Sequence, residues 1–328
     1  MIEGSLNQVI LVEPTKRSSL FRKAYIIFLS GYVLLSGFVF IEPSPAEVWF
    51  LIFIPFLLVR FKTTFQLLLI FALLFFPMLI STYIGYTVSG YCNPRFVFID
   101  IYLFSFFLLV ASWFNTAEKE PVKSRNSFLN LLMKVWALAG SINILAGFIV
   151  YLTGSSLLPV NIIRFGIRLQ GFFKDPNVLG PFLVPIAVYS LKGFLEGGKN
   201  KIIKLFIFLF FSLGVVLTFS RAAWLNYAMT LLFYLFYAIS DRKTFKRSIV
   251  FMILITLFFV SFLYLSSYIY IFNTNLGDFL LARSRLQSYD EARFETQSMF
   301  FDILSSTSIL FGTGPGNYES FAGMATHS

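Results

Sequence analysis

The sequence has very few of the residues that bind metals or form covalent cross-links. Its 328 residues include one cysteine, Cys92, and one histidine, His327. A single cysteine excludes a disulfide framework within the chain, and these two residues are too few for a Cys/His metal cluster. The sequence therefore predicts neither a disulfide-stabilised fold nor a zinc module.

Charged residues are scarce as well. Only 13% of the residues are charged, whereas 57% are hydrophobic and 20% are aromatic, and the mean hydropathy is +0.78. This composition is typical of a polytopic membrane protein, whose expected partners include membrane lipids. The formal net charge is +10. Basic residues of a membrane protein are explained first by its orientation, so no nucleic-acid partner is predicted.

Long apolar runs predict a bundle of transmembrane helices. A helix crosses a hydrocarbon core of roughly 30 Å in about 20 residues. We predict an all-α fold, with about nine or more spans and a large external loop that carries short surface helices. The predicted spans are 24–41, 48–59, 63–86, 96–115, 128–152, 178–195, 205–219, 222–240 and 248–272.

The spans divide the chain into three segments. These are a cytoplasmic N-terminal segment, 1–23, a bundle, 24–272, with an external loop at 153–177, and a second external segment, 273–328. Lysine and arginine are retained on the cytoplasmic side of membrane proteins. With the N-terminus inside, 18 of the 26 cations fall inside and 8 outside, which supports this orientation.

The eight predicted external cations are almost all arginines, because Lys174 is the one lysine among them. Arginine binds phosphate and carboxylate through a planar fork of donors and stays charged at low dielectric. The set therefore predicts an anion-binding site, whereas contact with lipid headgroups is the alternative for each single arginine. The seven arginines are 95, 164, 168, 221, 283, 285 and 293.

The stretch RFGIRLQGFFKDPN, residues 164–177, holds two of these arginines and Lys174. Arg164 and Arg168 are four residues apart, a spacing that on one helical turn would direct both side chains the same way. Asn177 is predicted to cap the helix that follows, and the positive end of that helix would attract an anion. The Asp-Pro-Asn is thus explained as the start of a helix, whereas the arginines are candidates for an anion-binding site.

Two further candidates are charged residues within apolar surroundings. Arg221 interrupts an apolar run from 205 to 240, where a turn at the outer face is expected. Asp100 lies in the fourth predicted span and is a secondary candidate, as is Lys174. Ionisable residues in membrane spans are rare and are commonly paired or functional.

The second external segment supplies the remaining candidates. Residues 290–304 predict a helix on the membrane surface, with Arg293 near its start. A local pair with neighbouring acids is the alternative role of Arg293. A turn-rich sequence follows at 312–318, and His327, the only imidazole, comes after it.

In this order the motifs resemble the bacterial O-antigen ligase and O-antigen polymerase superfamily. The resemblance extends from about residue 130 to the end. The matching motifs are Arg168-x-x-Gly171-Phe-x-x-Asp-Pro-Asn177, Ser220-Arg221, Arg293, and Gly312-Thr-Gly314-Pro-Gly316 followed by His327.

The resemblance implies an inverting glycosyl transfer, without a metal or other cofactor, at the external face of the bacterial inner membrane. The donor would be an undecaprenyl-pyrophosphate-linked oligosaccharide, and the acceptor a glycan or glycolipid hydroxyl. Arg168, Arg221 and Arg293, with Arg164, would hold the pyrophosphate, and His327 would be the catalytic base. The family also implies that further membrane helices follow this histidine.

Three alternatives stay open at this point. The residues do not distinguish a polymerase from a ligase, since the two differ chiefly in their acceptor. A transporter or flippase of the same lipid-linked oligosaccharide would also need cations, although along a path through the bilayer. A truncated, non-catalytic membrane subunit is the third reading.

Overall fold

A computed structural model of the chain describes most of its residues and confirms the predicted all-α fold. Within the described part, the regular structure is helical apart from two hairpins of two-residue strands. The described ranges are 16–59, 65–91, 93–117, 122–154, 160–198, 200–285 and 288–322.

Nine helices come first along the described chain, and four short ones follow. The elements are α1 (Lys16–Leu35), α2 (Pro45–Val59), α3 (Phe65–Ser89), α4 (Pro94–Ala117), α5 (Val122–Thr153), β1 (Ile163–Arg164), β2 (Arg168–Leu169), α6 (Pro176–Leu195), α7 (Lys201–Leu217), α8 (Arg221–Ser240), α9 (Phe245–Ser266), β3 (Tyr270–Ile271), β4 (Thr274–Asn275), α10 (Leu276–Ser284), α11 (Ser288–Ser298), α12 (Phe300–Ser306) and α13 (Tyr318–Ala322).

Six helices of the described chain are long and apolar enough to cross a membrane, namely α3, α4, α5, α6, α8 and α9. They indicate a helical membrane protein, and in the described chain they support six of the nine predicted spans. The apolar parts of α1 and α2 are short. At 1.5 Å per residue, the 17 residues of α7 cover about 25 Å, less than a core of roughly 30 Å.

The larger hydrophobic core lies among α5, α6, α7 and α8. Phe208, Phe211 and Val215 bury one side of α7 almost completely, and α6 packs against both α7 and α8. A smaller core joins α1, α2 and α4 around Phe28 and Phe50. The short α7 is therefore held mainly by neighbouring helices.

Asn143, in the middle of α5, connects the segment after α1 with the segment between β2 and α6. Its side chain is fully buried; Nδ2 donates to the Gly37 carbonyl at 3.0 Å, and Oδ1 accepts from the Phe172 amide at 2.7 Å. Gly171 has a φ of +62°, and a Cβ there would lie 2.3 Å from Asn143 Oδ1. Only glycine suits this contact and this backbone conformation.

The two β-hairpins lie at the end of the helices where α6 and α8 begin, here called the hairpin end. β1–β2 precedes α6, and β3–β4 follows α9. The start of α4 lies at the same end, because Glu42 pairs with both Arg95 of α4 and Lys174 just before α6. The opposite end holds the connections from α6 to α7 and from α8 to α9.

Candidate anion-binding site

The hairpin β1–β2 positions Arg164 and Arg168. The two arginines are directly paired across the strands, with Ile163 opposite Leu169, so the helical turn considered above is wrong. Phe165 and Gly166 both have positive φ values, +50° and +87°, and form the sharp loop. Facing residues of an antiparallel pair point to the same side, so the two side chains still share a direction.

The ring of Phe165 lies close to both guanidinium groups. The Cζ atoms of Arg164 and Arg168 are 4.7 Å and 5.7 Å from its centroid. Both distances are within the range of cation–π attraction. Phe165 itself is 60% exposed, and Arg164 is exposed as well, so the hairpin presents an aromatic ring and one cation at its tip.

Arg168 is only 6% exposed and joins two helices. Its Nε donates to the Thr218 carbonyl beyond α7 at 3.0 Å, and NH2 donates to Asn177 Oδ1 in the first turn of α6 at 3.0 Å. Carbonyls at a helix C-terminus lack partners within the helix and favour cations. Arg168 therefore fastens the end of α7 to the start of α6.

Asp175, rather than Asn177, is the N-cap of α6. Its side chain accepts from the Asn177 amide at 2.7 Å, and Pro176 is the first helical residue. The prediction of an Asn177 cap was wrong by two residues, because proline suits the first position of a helix and places the cap just before it. The side chain of Asn177 instead accepts from Arg168.

The corner between α7 and α8 contains the predicted turn at Arg221. Phe219 is fully buried with a φ of +47°, and Ser220 caps α8 by accepting from the Ala223 amide at 3.2 Å. Arg283 of α10 donates from Nε to the Phe219 carbonyl at 3.2 Å. Arg221 NH1 lies 3.5 Å from the Arg285 carbonyl. We call Arg168, Arg221 and Arg283, which meet at residues 218–221, the arginine corner.

Two helix N-termini adjoin the arginine corner. A Cβ on Gly180 of α6 would lie 2.3 Å from the Cβ of Ala223 and 3.2 Å from Thr218 Oγ1, so the second turn of α6 touches the first turn of α8. Each helix N-terminus carries a partial positive charge. The starts of two helices thus adjoin a corner where Arg168 and Arg283 donate to the adjacent Thr218 and Phe219 carbonyls and where Arg221 begins α8. Guanidinium groups and helix N-termini are both groups that bind anions.

Arg164 and Lys174 lie beside this corner, with local roles. Arg164 NH1 donates to the Lys174 carbonyl at 2.8 Å, which closes the segment between β1 and α6. The ammonium group of Lys174 pairs with Glu42. Asp100 is half-buried in α4, and the described residues include no ion pair to it. The structure therefore pairs Lys174 with Glu42 and places Asp100 in no ion pair among the described residues.

The remaining candidates come from the second external segment. Arg293 lies within α11, but its side chain is outside the described part, and so is His327. The predicted surface helix, 290–304, consists of two helices, α11 and α12, divided at Met299. The glycine-rich loop after α12 packs on α3 and α4, where a Cβ on Gly85 would lie 1.8 Å from the Thr313 carbonyl.

Arg283 and Asn143 are site-forming residues that the sequence motifs did not indicate. Arg283 belongs to the arginine-rich external set, which was the one available signal, but its partner is 64 residues away. In the sequence nothing distinguishes Asn143 from other polar residues within apolar helices. Among the described residues, no group of three or more His, Cys, Asp or Glu side chains lies close enough to hold a metal ion.

Comparison with known proteins gave no relatives. No family model, no curated protein and no solved structure matches this chain.

Proposed function

We propose that the protein transfers a glycan from an undecaprenyl-pyrophosphate-linked donor to the hydroxyl of an acceptor glycan or glycolipid, as an O-antigen or exopolysaccharide polymerase or ligase. The observation that carries the proposal is the arginine corner beside the first turns of α6 and α8. Its support from sequence is the ordered set of motifs that resembles the ligase and polymerase superfamily.

The chemistry of the reaction fits this arrangement. When the glycan leaves the donor, negative charge builds up on the departing pyrophosphate. Fixed donors and positive dipoles aimed at such a charge stabilise the transition state without reorganising. Guanidinium groups bind phosphate oxygens bidentately, and helix N-termini add further donors.

The arginines have different parts in this proposal. Arg168 is buried, and its bonds to Thr218 and Asn177 fix the geometry of the corner. Arg221 is half-exposed at the first position of α8. We therefore assign Arg221 to direct contact with the pyrophosphate and Arg168 to positioning as well as to charge. Arg164 and Arg293 are additional pyrophosphate ligands.

The proposed base is His327, assigned by the same resemblance. An imidazole with a pKa near 6.5 accepts a proton at neutral pH, and general-base catalysis contributes typically about 10²–10⁴-fold. In this mechanism His327 removes the proton of the acceptor hydroxyl while the arginines hold the leaving group.

The proposed location is the inner membrane of a bacterium, with the hairpin end facing outward. In the proposed topology 18 of the 26 lysines and arginines lie on the side opposite the hairpin end, among them Lys201, Lys243 and Lys246. Cytoplasmic enrichment of basic residues supports this orientation and a cytoplasmic N-terminus. The fuller topology of nine or more spans, with α1, α2 and α7 counted as crossings, belongs to the same proposal.

The experiment compares two arginines at opposite ends of the bundle, Arg221 at the start of α8 and Arg247 at the start of α9. Purified protein in lipid vesicles is incubated with a defined undecaprenyl-pyrophosphate oligosaccharide, and product length and released lipid pyrophosphate are measured. Arg221→Ala is expected to lower the transfer rate by about 10²–10³-fold, the usual loss for one transition-state donor. Arg247→Ala, which removes a helix-end donor to the Leu195 carbonyl, is the matched control and should retain activity.

Folding and metal dependence are measured in the same preparation. Both variants should insert into the membrane and unfold at similar temperatures, and a chelator should leave transfer by the unaltered protein unchanged. Normal transfer by both Arg221→Ala and Arg168→Ala would overturn the proposal. Transfer that stops on chelation would contradict stabilisation of the leaving group by arginines alone.

A further inference from the structure

The turn after α12 exposes two adjacent apolar side chains. Ile309 is 78% exposed and Leu310 is 88% exposed, the largest value for a large hydrophobic residue in the described chain. Phe301, at the start of α12, is 77% exposed. From residue 299 to residue 318 the sequence contains one charged side chain, Asp302. Such a patch on a water-facing loop would be unfavourable unless another apolar surface covered it.

The loop that follows this turn packs against α3, several residues before the C-terminal end of that helix. Besides the contact of Thr313 with Gly85, Gly314 approaches Thr82 so closely that a Cβ would lie 2.9 Å from the Thr82 Cα. Ser89 is the last residue of α3. At 1.5 Å per residue, Gly85 and Thr82 lie about 6 Å and about 10 Å below it. Gly316 packs against the ring of Phe96 in the first turn of α4.

This depth is compatible with membrane if protein buries the polar groups of the loop. Irregular backbone occurs at membrane depth where it is buried in protein. Thr313 and Asn317 are buried, and Asn317 Nδ2 donates to the Thr313 carbonyl at 3.1 Å, while Asn317 Oδ1 is buried without a hydrogen-bond partner among the described residues. The Gly312 amide donates to the Ser308 carbonyl at 2.8 Å. The polar part of the loop thus faces α3, while Ile309 and Leu310 lie outside it.

The surface next to the turn has the apolar, exposed character of a lipid-facing surface. α3 and α4 are apolar helices that expose most of their surface, with Phe76 60% and Phe98 69% exposed. The exposed patch is continuous with these helices through the docked loop. We propose that residues 307–317 form a re-entrant segment whose Ile309–Leu310 tip inserts among the acyl chains of the leaflet at the hairpin end.

The test measures the surroundings of the tip directly. The only cysteine of the chain is removed by Cys92→Ser, and Leu310→Cys is then labelled with an environment-sensitive fluorophore in phosphatidylcholine vesicles. Phe76→Cys on α3 is the control for lipid contact, and Gln297→Cys on the exposed side of α11 is the control for water.

The expected result is a blue-shifted emission at Leu310 that brominated acyl chains quench as strongly as at Phe76, with no quenching by aqueous iodide. Ile309→Cys, also highly exposed, should give the same result and repeats the test if the first variant is poorly produced. Quenching by iodide, as at Gln297, would overturn the proposal. Protection from both quenchers would overturn it too, since protein would then cover the tip.

Discussion

At both ends of helices α6, α7 and α8 cations donate to backbone carbonyls, but the residues around these cations differ. At the opposite end, Lys204 Nζ lies 3.3 Å from the Gly193 carbonyl, and Arg247 NH1 donates to the Leu195 carbonyl at 3.0 Å. At the hairpin end, Arg168 and Arg283 donate to the carbonyls that follow α7. In both places a cation satisfies carbonyls that a helix end leaves without partners.

Helix capping therefore explains why cations are present at both ends, but it does not explain the differences between them. The opposite end accepts a lysine and includes an acid, Glu196, 3.7 Å from Lys192. The hairpin end places arginines against two helix N-termini. The two ends thus differ in residue type and in the direct contact of α6 with α8 beside the arginine corner, and the proposed anionic ligand rests on this difference.

The largest expected effect comes from a methyl group placed on α6 at the hairpin end. In Gly180→Ala the new Cβ would meet the Cβ of Ala223 at 2.3 Å, so α6 and α8 must move apart. Overpacking of this kind costs about 1–3 kcal/mol, and it separates the two helix N-termini. We expect a lower unfolding temperature by circular dichroism and a strong loss of transfer activity.

Gly193→Ala is the matched variant. Its Cβ would meet Lys204 Cδ at 2.4 Å, but this is the flexible part of a long side chain that can move aside. Replacing glycine by alanine within a helix also gains about 0.5–1 kcal/mol. Stability and transfer should stay near those of the unaltered protein. Equal damage by the two substitutions would show that close packing alone, and not the hairpin-end geometry, controls activity.

A smaller effect separates capping from anion binding within one motif. Asp175→Ala removes the N-cap of α6 and should cost about 1 kcal/mol of stability. Asn177→Ala removes an acceptor of Arg168 and should cost a similar amount. Only Asn177→Ala should also lower transfer, by about tenfold, the equivalent of about 1.4 kcal/mol in the barrier. An equal loss of transfer in both variants would make the Arg168 contact part of the helix start and nothing more.

Sequence reasoning predicted most of the fold and part of the candidate site. The helices follow apolar runs, so each predicted span overlaps a helix among α1–α9. The break at Ser220-Arg221 marked where α8 begins, whereas the predicted start of α6 was two residues late. Apolar composition alone could not show that α7 is packed among its neighbours, with Phe208 and Phe211 buried.

The rest of the site depends on contacts that leave no local pattern. Arg283 reaches Phe219 across 64 residues, and Asn143 reaches Gly37 across 106. A hairpin and a helical turn can both bring residues four apart to one side, so the spacing of Arg164 and Arg168 could not distinguish them. That distinction came from the backbone of Phe165 and Gly166.

The smallest expected effect tests whether Lys174 belongs to the anion site. Glu42→Gln removes the carboxylate shared by Lys174 and Arg95, and Glu196→Gln removes the partner of Lys192 at the opposite end. All these groups are well exposed, so each pair should contribute less than about 1 kcal/mol. At about 1 M salt the Debye length is roughly 3 Å, and both differences in unfolding temperature should vanish. Because charge is balanced locally in both pairs, transfer should not change in either variant. A large salt-independent loss of transfer in Glu42→Gln alone would instead extend the anion site from the arginine corner to Lys174.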